Sequence, residues 1–163
     1  MNSGLANSKR FVLVLGLLTG LVAFAIDISL PAIPPMVTDL ATNLSLGQQV
    51  VGAFMAGLAV GQLPAGLLSD RFGRIPVLYA GIGIFTLAGI ATSVAGDINT
   101  MLAARFVQGI GSASGLVLAR AIVRDVASGV QAARLMTVLV MIFTAAPMLA
   151  PLFGAWLVTE LGW

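Results

Sequence analysis

Two charged residues interrupt long apolar runs of this sequence, Asp27 in the first run and Arg105 in the fourth. A charge inside a bilayer costs at least about 2.5–3.5 kcal/mol on insertion scales, so such residues usually serve a pathway or pair with a partner. Counted along each run at about 1.5 Å per residue, the two lie at similar depth. We therefore expect them either to pair or to face one aqueous cavity, where a proton and a cationic substrate compete for Asp27.

Each of these residues also has a purely structural interpretation. Pro31 follows Asp27 by only four residues, so Asp27 could instead lie hydrated at a helix end near the membrane surface. Arg105 could serve only to fix the packing of the helices. The sequence leaves both alternatives open.

A second concentration of charge lies in the nine residues 66–74, between two apolar runs. Such a short charged turn must lie in water at a membrane surface, because irregular backbone is not tolerated in contact with lipid. Asp70 and Arg74 are spaced to pair with each other or with neighbouring helix ends. Gly66 and Gly73 permit close backbone approach, and Arg71 adds a further cation.

The composition excludes several classes of protein. Of the 163 residues, 59% are hydrophobic and only 9% are charged, whereas a soluble domain has about 25% charged residues. The net charge is only +2 and the basic residues are scattered along the chain, so no nucleic-acid partner is expected. There is no Cys and no His. We find no metal site and no nucleophile–base pair, and therefore expect no enzyme.

The apolar runs predict an all-α integral membrane protein with five transmembrane helices. A polar tail over residues 1–10 precedes them, Pro31 ends the first helix before a loop, and residues 160–163 begin the loop after the fifth. The predicted spans cover residues 11–30, 46–68, 75–95, 100–123 and 135–159. Residues 9–25 also imitate a secretory signal, but the four apolar spans that follow favour a retained first helix.

The basic residues predict the orientation. Seven of the eight fall on one side of the predicted topology: Lys9, Arg10, Arg71, Arg74, Arg120, Arg124 and Arg134. By the positive-inside rule, this side and the N-terminus are cytoplasmic, as expected for a multi-pass protein of the cell (inner) membrane. Trp156 and Trp163 would then lie at the outer interface.

The fifth span has two prolines four residues apart, Pro147 and Pro151, followed by Gly154. Each proline removes a backbone hydrogen bond and favours a kink, and small residues let a neighbouring helix fit the bend. Such a helix could gate a cavity, or the kink could serve packing alone. Gly57 and Gly61, small residues at four-residue spacing in the second span, either allow close helix contacts or simply face lipid.

Four segments in order resemble motifs of the major facilitator superfamily. Residues 66–74 resemble its loop 2–3 signature, and residues 102–111, with Arg105, Gln108, Gly109 and Gly111, resemble its fourth-span motif. Residues 27–34 look like the first-span motif of drug:proton antiporters. Residues 120–125, with the double-proline fifth span, look most like the Bcr/CflA multidrug subfamily. Ala150 and Ala155 depart from the glycines of the antiporter motif in the fifth span.

This resemblance implies the N-terminal part of a twelve-helix transporter that works by alternating access. Asp27 would recognise a proton or cation and Arg105 would tune its protonation. The loop at Asp70, Arg71 and Arg74 would latch the cytoplasmic side, and the fifth span would bend against the missing half.

The implied activity is proton-coupled export of drugs or other small amphipathic molecules. It would be driven by the proton gradient without a cofactor, in a lipid bilayer and together with a C-terminal half or partner chain. The alternatives are a sugar or metabolite carrier of the same superfamily, or a truncated membrane subunit that does not transport.

Overall fold

The computed structural model describes residues 9–163, so the predicted polar tail lies almost wholly outside the described residues. Five long helices have the length and apolar composition needed to cross a membrane, and no strand occurs in residues 9–163. The predicted all-α fold with five spans is therefore confirmed. In chain order the elements are α1 (Lys9–Asp27), a 3₁₀ turn (Leu30–Ala32), a short α2 (Ile33–Asp39), α3 (Leu44–Phe72), α4 (Arg74–Ser93), α5 (Ile98–Val126) and α6 (Gly129–Leu161).

The segment after the first span differs from the prediction. The first helix ends at Asp27, before Pro31, and the expected loop instead contains the 3₁₀ turn and α2. Proline in the first turn of a helix costs little, because the N–H groups there have no intrahelical partner. Pro34 takes this position in α2. A proline cluster that was expected to stop helical structure therefore begins a new helix.

Several helices also begin earlier than the apolar runs do, because polar side chains cap them. The Asn43 side chain accepts a hydrogen bond from the Leu46 N–H at 2.9 Å and starts α3. Asp97 accepts hydrogen bonds from the N–H groups of Asn99 and Thr100, both at 2.9 Å, and starts α5. These caps satisfy backbone donors that the first turn of a helix leaves free.

Helix α5 is the centre of the bundle and packs against α1, α3, α4 and α6. Its buried residues run along nearly its whole length, from Met101 to Val123. In contrast, only Gly81 and Ala88 are buried in α4. The apolar side chains of α4 and much of α6 therefore form surfaces that suit a bilayer.

The contact between α3 and α5 depends on glycine. A Cβ atom at Gly57 of α3 would overlap the Phe106 carbonyl oxygen of α5, and one at Gly109 of α5 would overlap the Phe54 carbonyl oxygen of α3. Gly61 continues the contact one turn further along. The close helix approach that the sequence predicts from the spacing of Gly57 and Gly61 is confirmed.

An apolar cluster lies at each end of the helix bundle. At one, the start of α1 packs with the end of α5 and the start of α6, and Arg74 reaches Asp125. This basic end carries the seven basic residues grouped by the sequence analysis. At the other end of the bundle, α2 packs against the first turns of α3 and α5 and against Trp163. We call this end the opposite end.

Candidate functional site

Arg105 lies in the second turn of α5 near the opposite end and is only 7% exposed. Its guanidinium donates hydrogen bonds from Nη1 to the Gln108 Oε1 at 2.9 Å. Its Nη2 donates to the Ala25 carbonyl oxygen at 3.2 Å and to the Ser29 Oγ at 3.0 Å. The Cζ atom lies 4.8 Å from the centre of the Phe54 ring. Arg105 thus joins α5 to the end of α1 and to α3.

All hydrogen-bond acceptors of Arg105 are neutral. Among the described residues, no carboxylate forms an ion pair with it, and its buried Nε has no partner. Asp27, the last residue of α1, is half-buried. Of the two arrangements that the sequence leaves open, the pairing of Asp27 with Arg105 is absent among the described residues. The guanidinium instead bonds to uncharged groups two residues before and two residues after Asp27.

The end of α1 explains why those acceptors are available. The Ile28 N–H still bonds to the Phe24 carbonyl at 2.9 Å, and the Ser29 hydroxyl donates to the Ile26 carbonyl at 3.0 Å. Pro31 has no N–H to donate to the end of α1, and the helix is interrupted there before the 3₁₀ turn. The last carbonyls of a helix need outside donors, and Arg105 supplies one to Ala25.

Helix α6 meets α1 at the same break. A Cβ atom at Gly154 would overlap the Ile28 carbonyl oxygen, so only glycine allows this approach. The Phe24 and Phe153 rings also lie against each other, with centroids 5.8 Å apart. Pro147 and Pro151 lie inside α6, which remains one continuous helix over Gly129–Leu161. The gating role expected for these prolines remains a prediction.

A cavity of about 190 Å³ lies at the opposite end, with Arg105 and Ser29 in its wall. Thr92, Ser93 and Trp163 also line this cavity. Trp163 packs against the cluster that contains Met36, and its Nε1 donates to an Asp39 carboxylate oxygen at 2.5 Å. The sequence predicts Trp163 only as an interfacial residue, and the structure adds that it lines this cavity.

A larger groove of about 680 Å³ runs between α1 and α6. Its walls are almost wholly apolar and include Gly16, Gly20, Phe24, Ile142, Ala146 and Leu149. Lys9 lies at the end nearest the basic end, and Phe24 precedes Asp27 by three residues. The groove is suited to the hydrophobic body of a ligand.

At the basic end, Arg74 forms ion pairs with Asp70 and with Asp125, the latter at 3.0 Å. Its Nη1 also donates to the Ser69 Oγ at 2.7 Å. The pairing that the spacing of Asp70 and Arg74 predicts is thus present, and α5 contributes a second carboxylate. The sequence analysis does not assign Asp125 to the site, although Asp125 ends the segment 120–125 that resembles the Bcr/CflA subfamily.

The glycines and the second arginine of this loop have different positions. Gly73 has φ +91° and links α3 to α4 by a single residue, a conformation that favours glycine. At Gly66 a Cβ atom would meet only a Val117 methyl at 3.9 Å, an ordinary contact, so the expected close approach there is absent. Arg71 is exposed and lies over the Phe72 ring.

The remaining fourth-span residues serve packing and Arg105. Gln108 accepts the hydrogen bond described above, Gly109 meets α3, and Gly111 meets the Phe85 backbone of α4. The motif therefore supplies one hydrogen-bond acceptor for Arg105 and two glycines that pack against α3 and α4. In the described part of the chain, no cluster of three His, Cys, Asp or Glu residues is arranged to hold a metal ion.

A sequence profile of the Major Facilitator Superfamily matches residues 15–163. The chain belongs to the Major Facilitator Superfamily. It is a multi-pass membrane protein, as expected for this superfamily and from its five apolar helices.

Three similar proteins have names that place them among transporters or resistance proteins. The chain is 40% identical to a protein of Bacillus subtilis (strain 168) named uncharacterized MFS-type transporter YdgK, over 86% of this chain and 35% of the relative. It is 33% identical to the bicyclomycin resistance protein homolog of Haemophilus influenzae, over 94% of this chain and 38% of the relative. It is 36% identical to multidrug resistance protein D of Escherichia coli (strain K12), over 94% of this chain and 39% of the relative.

These relatives confirm the superfamily and the Bcr/CflA-like resemblance inferred from the motifs. The chain spans between 35% and 39% of the length of these three relatives.

Proposed function

We propose that this chain forms the N-terminal helices of a proton-coupled exporter of small amphipathic cations. The names of two relatives refer to resistance to bicyclomycin and to multiple drugs, which supports drugs as the substrate class. The positive-inside rule orients the basic end toward the cytoplasm, across the inner membrane of a bacterial cell.

The observation that carries this proposal is an unpaired carboxylate beside an apolar groove. Asp27 forms no ion pair among the described residues, and the groove between α1 and α6 ends at Phe24, one turn before it. A lipophilic cation needs an apolar wall for its rings and a carboxylate for its charge. A proton neutralises the same carboxylate, so proton and drug would exclude each other.

Export also needs parts that lie beyond these five helices. Alternating access moves two halves around a central site, and the groove would form one wall of that site. The ion pairs of Arg74 at the basic end would hold the cytoplasmic side closed and break when the halves separate. The proton gradient would supply the energy, with no cofactor.

The test is Asp27→Asn in the full-length gene product. In everted membrane vesicles, the wild type should remove ethidium from the vesicle exterior when respiration acidifies the lumen, and Asp27→Asn should remove none. Asp39→Asn is the matched control, because it makes the same change at the opposite end while keeping an acceptor for Trp163. Wild-type ethidium transport by Asp27→Asn would reject the proposal.

A further inference from the structure

The Ser29 hydroxyl makes two hydrogen bonds that fix its orientation. It donates its single hydrogen to the Ile26 carbonyl oxygen at 3.0 Å, so it can only accept from Arg105 Nη2, at 3.0 Å. Ser29 lies two residues after Asp27, in the break between α1 and the 3₁₀ turn. The Ser29 hydroxyl oxygen therefore holds one hydrogen of Arg105 Nη2 at the break after α1.

Arg105 has few other ways to satisfy that hydrogen. The other hydrogen bond of Arg105 Nη2 goes to the Ala25 carbonyl oxygen, and Nη1 donates to the Gln108 side-chain oxygen. A carboxylate is a stronger acceptor for a guanidinium than a hydroxyl or a carbonyl is. A buried donor without an acceptor is also costly. Loss of the Ser29 hydroxyl would therefore favour a turn of the guanidinium toward an acid.

Asp27 is the acid that this turn would reach. The other acids near the opposite end are Asp39, Asp97 and Glu160. Asp39 accepts a hydrogen bond from Trp163, and Asp97 caps the start of α5. Glu160 is exposed in the last turn of α6. Asp27 alone belongs to the helix end that already holds Arg105.

We propose that Ser29 is a positioning residue, which holds Arg105 on the neutral end of α1 and so leaves the Asp27 carboxylate free to bind a cationic ligand. This inference rests on the proposed function, since it concerns the same carboxylate. It adds a residue to the site that makes no contact with the ligand itself.

The experiment measures binding of tetraphenylphosphonium to the purified full-length gene product in lipid nanodiscs, without a proton gradient. Ser29→Ala should weaken binding about tenfold, the equivalent of one charge-assisted hydrogen bond. Ser29→Thr keeps the hydroxyl and should bind within about twofold of the wild type on the same reasoning. Ser112→Ala is the matched control, because this buried hydroxyl donates only to Gly109 within α5.

A double-substitution cycle separates this inference from the proposed function. If Arg105 blocks Asp27 in Ser29→Ala, the change should have no further effect on binding in an Asp27→Asn background. Wild-type binding by Asp27→Asn alone would reject the proposed function. Weak binding by Asp27→Asn together with unchanged binding by Ser29→Ala would reject only the role of Ser29.

Two further outcomes would overturn the inference. Equal losses in Ser29→Ala and Ser29→Thr would show that the hydroxyl is not the cause, and an undiminished Ser29→Ala effect in the Asp27→Asn background would show that Asp27 is not the target. If Ser29→Ala does not fold, Ser29→Cys replaces it, since a thiol keeps the size but accepts hydrogen bonds weakly. Its binding should then lie between those of Ser29→Thr and Asp27→Asn.

Discussion

Arg74 and Arg105 show two ways of accommodating the same side chain in one bundle. At the basic end the Arg74 side chain is 26% exposed and pairs with two carboxylates. Near the opposite end Arg105 is 7% exposed and bonds only to an amide, a carbonyl and a hydroxyl. The acids are placed where water reaches them, and the buried cation is surrounded by fixed neutral dipoles.

The difference indicates how easily each contact can be broken. Exposed ion pairs contribute about 0–1 kcal/mol, because water replaces the lost partner. A buried charge that loses a partner costs about 3–5 kcal/mol, because nothing replaces it. The Arg74 pairs can therefore break at a small cost in free energy, whereas loss of an Arg105 contact between helices would cost much more.

The largest expected effect follows from Arg105→Lys. A lysine ammonium lacks the planar fork and cannot bond to Gln108, Ala25 and Ser29 together. Transport by the full-length gene product should fall by at least about 100-fold, equivalent to about 3 kcal/mol. Arg124→Lys, at an exposed position of the basic end, should transport normally. Comparable activities in the two variants would remove the distinction between the two arginines.

Gly57→Ala should have the next largest effect, because it disturbs the packing that buries Arg105. The new methyl group would overlap the Phe106 carbonyl, next to Arg105 in α5. We expect a loss of about 1–3 kcal/mol of stability, read as a lower midpoint of thermal unfolding in detergent. Gly52→Ala is the matched control in the same helix, since nothing lies within 4 Å of its added Cβ atom. A midpoint unchanged in both variants would contradict the tight α3–α5 contact.

Asp125→Asn should have a smaller effect, since it removes one of two exposed partners of Arg74. The expected loss of stability is about 0.2–1 kcal/mol at low salt. At 1 M salt, where the Debye length is about 3 Å, the difference from the wild type should shrink. Thermal unfolding at the two salt concentrations measures it. A salt-independent loss as large as that of Gly57→Ala would place Asp125 in the same class as Arg105.

The smallest expected effect concerns Asp97, which forms no ion pair within residues 9–163. The Thr100 hydroxyl and the N–H groups of Thr100 and Asn99 hold the pKa of the Asp97 carboxyl below its ordinary value. Because the folded-state pKa is lowered, this contribution to stability is present above pH ~4, the unfolded value, and is lost as the pH falls through the folded pKa. Asp97→Asn should unfold like the wild type in acid and slightly more easily at neutral pH. Thermal unfolding of both proteins across pH 3–7 measures this difference. The same difference at every pH would contradict the lowered pKa of Asp97.

The sequence predicts the five long apolar helices, because length and apolar character are properties of each segment alone. It predicts the Asp70–Arg74 pair for the same reason, since four-residue spacing on a helix brings side chains together. It also predicts that Gly57 lies at a close contact, although the partner, the Phe106 carbonyl, is nearly fifty residues away.

What the sequence does not predict depends on contacts between distant segments. Local rules treat Pro31 and Pro34 as a stop, yet packing of α2 against α3 and α5 makes a new helix favourable there. The choice of Ala25 and Ser29 over Asp27 as partners of Arg105 depends on which carbonyls the end of α1 leaves free. Asp125 pairs with Arg74 only because α5 ends beside the turn between α3 and α4.

The burial of α5 on nearly all sides has a consequence for how the protein is made. This helix is the least apolar of the five spans and carries Arg105 and Gln108, so its insertion into lipid alone would be less favourable than that of the other spans. Helices α1, α3 and α4 are synthesised before it. The three helices that supply most of the surface packed against α5 are therefore available when α5 is made, which would let its polar and small residues pack against protein as it enters the membrane.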